Sequence, residues 1–247
     1  MILALQDTLS FATRVTIRMF AVKTYNSATR MVLLNQIYFT AVQILPLLLA
    51  GSVIFGSLLI GVVFQIILDL GLAEYLGKIL VGLLVVELAP LMTALLIALR
   101  SGSAINAEIA VMKVNNEIHT LEIFNIDVIN YLFVPRIING VVSVALLSGL
   151  FSIVVVVSGL LFSNIFFGMN IDVYTGVLLE SANSGDLILS IIKAGTFGFF
   201  ITMIPIRSGF SATDELTSVP ITVLNGMVKV FIAILIIEVL SLLIRMI

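Results

Sequence analysis

The chain has 247 residues, of which 61% are hydrophobic and only 11% are charged. Soluble domains carry about 25% charged residues, so this composition excludes a soluble globular protein and indicates an integral membrane protein. The formal net charge of -2 argues against nucleic acid as a partner, because binding to phosphates needs a basic surface. The absence of cysteine and the single histidine, His119, give no basis for a disulfide framework, a metal site or a cofactor.

Residues 1–30 form a segment of mixed polarity ahead of the first long apolar run. Its start lacks a basic region and a small-residue cleavage site, so no secretory signal peptide is expected. Arg14 and Arg18 are four residues apart and share one face of a helix. This pattern predicts an amphipathic helix in the cytoplasmic interface of the membrane, with its basic side chains at anionic headgroups. A simple flanking helix fits the same residues.

Five apolar stretches follow. A hydrocarbon core of about 30 Å needs roughly 20 apolar residues in a helix. By that measure the predicted spans lie within residues 37–68, 79–109, 137–167, 187–206 and 219–244. The longer stretches exceed the minimum by about ten residues, which predicts tilt, a kink or a re-entrant turn. The fold is thus predicted as all-α.

Basic residues near the span ends predict the orientation. Those expected on the cytoplasmic side are Arg14, Arg18, Lys23, Arg30, Lys113, Arg136 and Arg207. The other side is mainly acidic, with Asp69, Glu74, Lys78, Asp172, Glu180 and Asp186. We therefore predict a cytoplasmic amino terminus and an external, periplasmic carboxyl terminus.

No motif for hydrolysis is present. A phosphate-binding loop needs four residues between its glycines and a hydroxyl after its lysine. The nearest stretch, Gly71 to Lys78, has five residues between the glycines and is followed by Ile79. We therefore expect no catalytic residues and no enzymatic activity in this chain.

Charged residues recur in the predicted loop at about residues 110–136, between two long apolar runs. From Met112 to Phe124, apolar residues recur at helical spacing among polar ones, which predicts a short amphipathic helix. Its apolar side can lie against the membrane face of the bundle, or it can dock on a cytoplasmic partner. The residues alone leave both interpretations open.

The interval from Glu87 to Arg136 also carries a family pattern. It reads ELAP, LxxALxxALRxGxAxxAEI, MKVxxEIxxLE and YLxVPR, in order and without a gap. This series resembles the MlaE-type permease family, the membrane subunits of ABC transporters that act with MCE proteins on lipids. The five apolar stretches predict a permease domain over residues 31–247, and the resemblance implies a homodimer, a separate ABC ATPase and an external MCE-domain protein. The resemblance itself extends more loosely over residues 30–245.

In that family the loop between the second and third spans is a coupling helix that docks into a groove of the ATPase subunit. The resemblance therefore favours ATPase docking here. The expected contacts are Lys113, Glu117, His119, Glu122 and Asp127.

Several charged residues lie within the spans or at their ends. Arg100 and Glu108 are expected to be structural, pairing with each other, with a neighbouring span or with headgroups. Arg136 is expected to anchor at the headgroups. Lys229 and Glu238, nine residues apart in the fifth span, are assigned only to helix pairing.

Glu87 and Lys193 are each within about two turns of the external start of a span, the second and the fourth. They predict either a structural salt bridge or a polar site for a zwitterionic or anionic phospholipid head. The resemblance favours lipid contact, because members of the family form an outward-facing lipid cavity at their dimer interface and both residues fall on matching positions.

Small residues four apart recur in the first span, ending at Gly56 and Gly61. Such spacing lets helices approach closely in lipid. The pairs serve either packing within one subunit or the seam of the homodimer that the resemblance implies.

The predicted function is that of a permease subunit that moves phospholipids between membranes, energised by a separate ATPase subunit. The expected location is a bacterial inner membrane, with a plastid inner envelope less favoured. The alternative from another class is an ATP-independent membrane channel or a scaffold that recruits a cytoplasmic partner. A channel needs rings of polar residues, whereas these spans contain isolated charges.

Overall fold

The computed structural model describes residues 13, 15–19, 33, 36–71, 75–168, 170–213 and 215–246, and within them the chain is helical without strands. From the first span onward the helices are α1 (Leu45–Asp69), α2 (Leu76–Val114), α3 (Glu117–Ile123), α4 (Val134–Phe167), α5 (Ile171–Ser181), α6 (Ser184–Phe210) and α7 (Ser218–Met246). A π-helical turn, Tyr38–Val42, leads towards α1, and another, Ile129–Phe133, leads into α4.

Five helical stretches in the described part of the chain are long and apolar enough to cross a membrane. They are Thr40–Ile67, Leu76–Val114, Ile129–Phe166, Ser184–Phe210 and Ser218–Arg245. The predicted all-α membrane fold with five spans is therefore confirmed. The second and third spans extend beyond their apolar runs, so only residues 115–128 connect them, fewer than the predicted loop at about 110–136.

Two close crossings organise the bundle. A side-chain carbon at Gly198 of α6 would overlap the backbone of Gly140 in α4, so the two helices touch there through their main chains. One at Gly56 of α1 would meet Val155 and Ser158 of α4. In lipid, such close packing contributes most of the attraction between helices. Helix α4 therefore lies at the centre, between α1 and α6.

The contacts of α1 decide between the two roles predicted for its small residues. A side-chain carbon at Gly56 or Gly61 would collide with α4, in the second case with the Phe162 ring. Both glycines therefore serve packing within the subunit. The alternative that these two residues form a homodimer seam is wrong, because α4 already occupies that face.

Only a short part of the predicted amino-terminal helix is described. Residues 15–19 are helical, Val15 is buried against α2 and the α3 region, and Arg18 pairs with Asp127. The remaining residues of this segment, except Thr13, lie outside the described residues, and Arg14 is among them.

Helix α5 lies between the third and fourth spans, where the apolar pattern predicts no helix. Asn170 caps its amino-terminal end, and the Asn170 side chain accepts from the Asp172 N–H at 3.1 Å. Tyr174 is buried, and its hydroxyl donates to the Val156 carbonyl of α4 at 3.3 Å. Burial raises the pKa of Tyr174 to about 12, so the phenol stays neutral. Helix α5 thus caps one end of the bundle, which we call the α5 end; the other is the α3 end.

The α4–α6 crossing generates a stability prediction. Replacement Gly198→Ala should destabilise the protein by about 1–3 kcal/mol, because the backbone of Gly140 cannot move aside as a side chain could. The measurement is the thermal midpoint in detergent. Gly149→Ala on the open face of α4 is the control and should leave the midpoint nearly unchanged. Equal midpoints for the two variants would contradict the proposed close contact.

Candidate functional site: a buried charge cluster beside an apolar groove

Helix α2 departs from regular geometry near the α5 end. Val81–Leu88 is π-helical, and the Ala89 N–H bonds to the carbonyl oxygen of Leu84, five residues back. Pro90 follows directly and has no N–H to donate, which weakens the regular pattern at this point. Isolated π turns within α-helices occur frequently at functional sites. Glu87 lies in this segment.

Four charged side chains from α2, α6 and α7 meet beside it. The Lys193 ammonium donates to Glu87 and lies 2.8 Å from a carboxylate oxygen of Glu238. The Arg245 guanidinium donates through Nη1 to Glu87 at 3.2 Å and to the Gly82 carbonyl oxygen at 3.1 Å. We call Glu87, Lys193, Glu238 and Arg245 the charge cluster.

The cluster is buried and carries no net charge. Its side chains are 2% exposed for Lys193, 10% for Glu87, 14% for Glu238 and 34% for Arg245. A lone charge at the centre of a membrane helix costs about 2.5–3.5 kcal/mol on insertion scales. Two acids and two bases in contact offset that cost, so the cluster ties together the three helices that supply it.

Half of this cluster was predicted from the sequence. The structure brings Glu87 and Lys193 together, but the contributions of Glu238 and Arg245 were missed. Glu238 was compared only with Lys229, nine residues away. The useful signal was its spacing of seven from Arg245, because residues two turns apart lie on the same face of a helix.

An apolar groove lies next to the cluster, between α6 and α7. Its volume is about 680 Å³, which is within the range of ligand sites in proteins. Apolar side chains from both helices form most of its wall, including Ile188, Ile192, Phe200, Ile236, Leu240 and Ile244. Lys193 also lies in the wall, where it joins the groove to the charge cluster.

At the α3 end, the predicted amphipathic helix exists but is shorter than expected. Asn116 has a positive φ of 58°, which separates α2 from α3, so the helix begins at Glu117 and not at Met112. Ile118 is buried, whereas Phe124 is 72% exposed beyond the helix end. Phe124, predicted as the last apolar residue of the helix, therefore lies just beyond its end at Ile123 and is available to a partner.

The five predicted coupling residues fall into two groups. Glu117, His119 and Glu122 are exposed, and the His119 ring lies 3.9 Å from Glu122. Lys113 instead lies 5.3 Å above the Phe210 ring of α6. Asp127 caps the turn before α4, accepting from the Ile129 N–H at 3.1 Å, and pairs with Arg18. Lys113 and Asp127 therefore hold the loop to the body of the protein.

Three further predicted charges, Arg100, Glu108 and Arg136, have partners within the bundle, whereas Lys229 is exposed. Arg100 donates to the backbone and side chain of Gln43 at 2.6 and 3.1 Å, which ties α2 to the residues before α1. Arg136 donates to Glu108 at 2.5 Å, and its side chain is only 2% exposed. The expected headgroup contact of Arg136 is wrong, because the residue is enclosed by helices.

Comparison with known proteins places these features in a family. A model of the family "Permease MlaE" matches residues 33–244. The intermembrane phospholipid transport system permease protein MlaE of Haemophilus influenzae is 31% identical over 179 residues, 72% of this chain and 69% of the relative.

Two further relatives match over shorter segments. The chloroplastic protein TRIGALACTOSYLDIACYLGLYCEROL 1 of Arabidopsis thaliana is 29% identical over 66% of this chain and 48% of the relative. A probable ABC transporter permease protein of Synechocystis is 32% identical over 58% of this chain and 54% of the relative. The matched part of this chain therefore spans about half the length of these two proteins. Because the family model covers most of the sequence, the chain belongs to the MlaE permease family.

Proposed function

We propose that the protein is the permease subunit of an ABC-type transporter that moves phospholipids between membranes. The observation that carries this proposal is the apolar groove between α6 and α7, which borders a neutral, buried charge cluster. Family membership supports a non-catalytic membrane subunit. The names of the Haemophilus and Synechocystis relatives support a phospholipid substrate and energy from a separate ATPase subunit.

The groove suits the acyl chains of a lipid, and Glu87 and Lys193 are the proposed lipid-binding pair. Lys193 forms part of the groove wall, and Glu87 lies against it. Since their charges offset each other, the pair offers polarity next to the chains without a net charge. A lipid in the groove would then contact α6 and α7 and, through the cluster, influence α2.

The exposed part of the α3 region is the proposed docking surface for the ATPase. Glu117, His119 and Glu122 supply polar contacts there, and the exposed Ile123 and Phe124 supply apolar ones. Aromatic anchors of this kind carry much of the binding energy of protein interfaces. Lys113 and Asp127 contribute by fixing the loop to the rest of the protein. A movement that the docked ATPase causes in the loop is then transmitted to α2, α4 and α6.

The proposed assembly follows the family pattern. Its amino terminus is cytoplasmic and its carboxyl terminus periplasmic, in a bacterial inner membrane. Two copies form a homodimer, and an MCE-domain protein binds at the α5 end, which is then the external side. Exposed apolar side chains along α7, such as Leu224, Ile232 and Leu235, support contact with lipid or a second subunit on that face.

A purification experiment tests the proposed ATPase coupling. The full chain is purified from native membrane in mild detergent, and co-purifying proteins and lipids are identified by mass spectrometry. We expect an ABC ATPase and phospholipid with the wild type. Glu117→Lys and Phe124→Ser should each reduce recovered ATPase at least about tenfold, as for the loss of an interface hot spot.

The control is Asp172→Lys, a change of similar charge at the other end of the bundle. It should leave ATPase recovery unchanged. If chemical crosslinking captures no ATPase even with the wild type, the coupling proposal fails and an ATP-independent channel or scaffold becomes the better explanation.

The charge cluster generates a second prediction. Lys193→Met leaves two carboxylates with one cation and should destabilise the protein by about 3–5 kcal/mol, as for a broken buried ion pair. The double variant Lys193→Met with Glu238→Gln restores neutrality and should recover much of the thermal midpoint. Vesicle-to-vesicle transfer of a fluorescent phospholipid by the reconstituted complex then reports function separately from stability.

Lys229→Met, in the same helix as Glu238 but outside the cluster, is the control. We expect the stable double variant to remain deficient in lipid transfer, because the polar wall of the groove has changed. Wild-type transfer by the double variant would show that Lys193 acts only in folding and would contradict its proposed role in lipid binding.

A further inference from the structure

A second cavity, with charged residues in its wall, lies at the α5 end of the bundle. It is an open space of about 680 Å³, lined by Tyr75, Lys78, Ile79, Ser181, Asn183, Asp186 and Arg245. These residues come from the start of α2, the end of α5, the start of α6 and the end of α7. An overlapping cavity adds Glu180 to the lining. We call this region the polar vestibule.

The vestibule adjoins the apolar groove. Ile244 lines the groove and the next residue, Arg245, lines the vestibule. In the same way Gly185 lines the groove and Asp186 lines the vestibule. The two spaces therefore lie close together where α6 begins and α7 ends, the groove lined mainly by apolar residues and the vestibule containing charged ones.

The charges of the vestibule are more accessible than those deeper in the cluster. Lys193 is enclosed and engaged by two carboxylates. Lys78 is exposed, and neither it nor Asp186 pairs with another side chain in the part of the chain that the structure describes. Arg245 uses only Nη1 for its described bonds and is 34% exposed, so further guanidinium donors are unused within the described residues.

We propose that the polar vestibule is the headgroup subsite for a zwitterionic aminophospholipid. Lys78 and Arg245 bind the phosphate, Asp186 accepts from the ammonium group, and the acyl chains enter the groove between α6 and α7. Arginine and lysine are the usual partners of phosphate oxygens in proteins. A carboxylate beside them distinguishes phosphatidylethanolamine from a purely anionic lipid. This inference rests on the proposed phospholipid transport and extends it to headgroup recognition.

Native mass spectrometry of the full chain in detergent tests the subsite. The added probes are dioleoyl phosphatidylethanolamine, dioleoyl phosphatidylglycerol, dioleoylglycerol and inorganic phosphate. The wild type should bind phosphatidylethanolamine best. Lys78→Gln should lower that binding about tenfold without changing binding of dioleoylglycerol, which lacks the phosphate. Lys229→Gln removes the same charge outside both cavities and should have no effect.

The ammonium contact has its own pair of variants. Asp186→Asn should bring phosphatidylethanolamine and phosphatidylglycerol to similar occupancy, whereas Asp172→Asn, outside the vestibule, should keep the wild-type preference. An unchanged preference in Asp186→Asn would overturn the ammonium assignment. If inorganic phosphate displaces bound phosphatidylethanolamine as effectively as added phosphatidylethanolamine does, the lipid assignment is overturned and the vestibule is a simple anion site.

These outcomes separate the subsite from the transport proposal. If Lys78→Gln binds phosphatidylethanolamine like the wild type, the headgroup subsite is wrong and transport by another headgroup contact still stands. If the wild type binds none of the phospholipids above the level of dioleoylglycerol and transfers none between vesicles, the proposed function fails as well.

Discussion

The need to neutralise charge inside an apolar bundle is the constraint on which the rest of this structure depends. Glu87, Lys193, Glu238 and Arg245 are far apart in the sequence, and each would be costly alone among membrane helices. Their contact fixes the relative positions of α2, α6 and α7 near the α5 end. The hydrophobic effect does not contribute to this in lipid, since the surrounding chains are as apolar as the side chains, so polar contacts add to the close packing of the helices.

This constraint also explains the open groove. At the α3 end, α7 is held by polar contacts, in which Asn106 and Ser208 donate to the Thr222 carbonyl oxygen at 3.3 and 3.0 Å. At the other end it is held by the charge cluster. Only 22% of its most apolar stretch is buried, against 56% for α2. A helix fixed at both ends need not pack closely along its length, and this leaves space between α6 and α7.

Helix α2 links the two regions for which we propose functions. It runs from Leu76, beside the vestibule, to Val114, just before α3. Its π-helical segments, Val81–Leu88 and Ala98–Gly102, are natural points for bending. In the proposed transporter, ATPase closure at the α3 region would move α2, and the charge cluster would pass that movement to the helices that line the groove.

The sequence was sufficient for features that depend on local composition. Five apolar runs predict five spans whatever their neighbours are, and the ELAP to VPR pattern indicates the family. Features that depend on which helices meet were not predictable in this way. Arg136 was predicted to lie at the headgroups because its sequence neighbours do not reveal its partner. That partner, Glu108, lies 28 residues earlier, on another helix. The spacing of seven places Arg245 on the same face of α7 as Glu238, but it does not identify Gly82 and Glu87 of α2 as the groups that accept its hydrogen bonds.

The most direct test of the central claim is photo-crosslinking with a phosphatidylethanolamine that carries a diazirine in its acyl chain. The full complex with its ATPase is reconstituted in vesicles, irradiated with and without ATP, and the labelled peptides are mapped by mass spectrometry. The account predicts labelling concentrated on the groove faces of α6 and α7 and changed by ATP turnover. Labelling that is spread evenly over the lipid-facing side of α1 and is insensitive to nucleotide would contradict it.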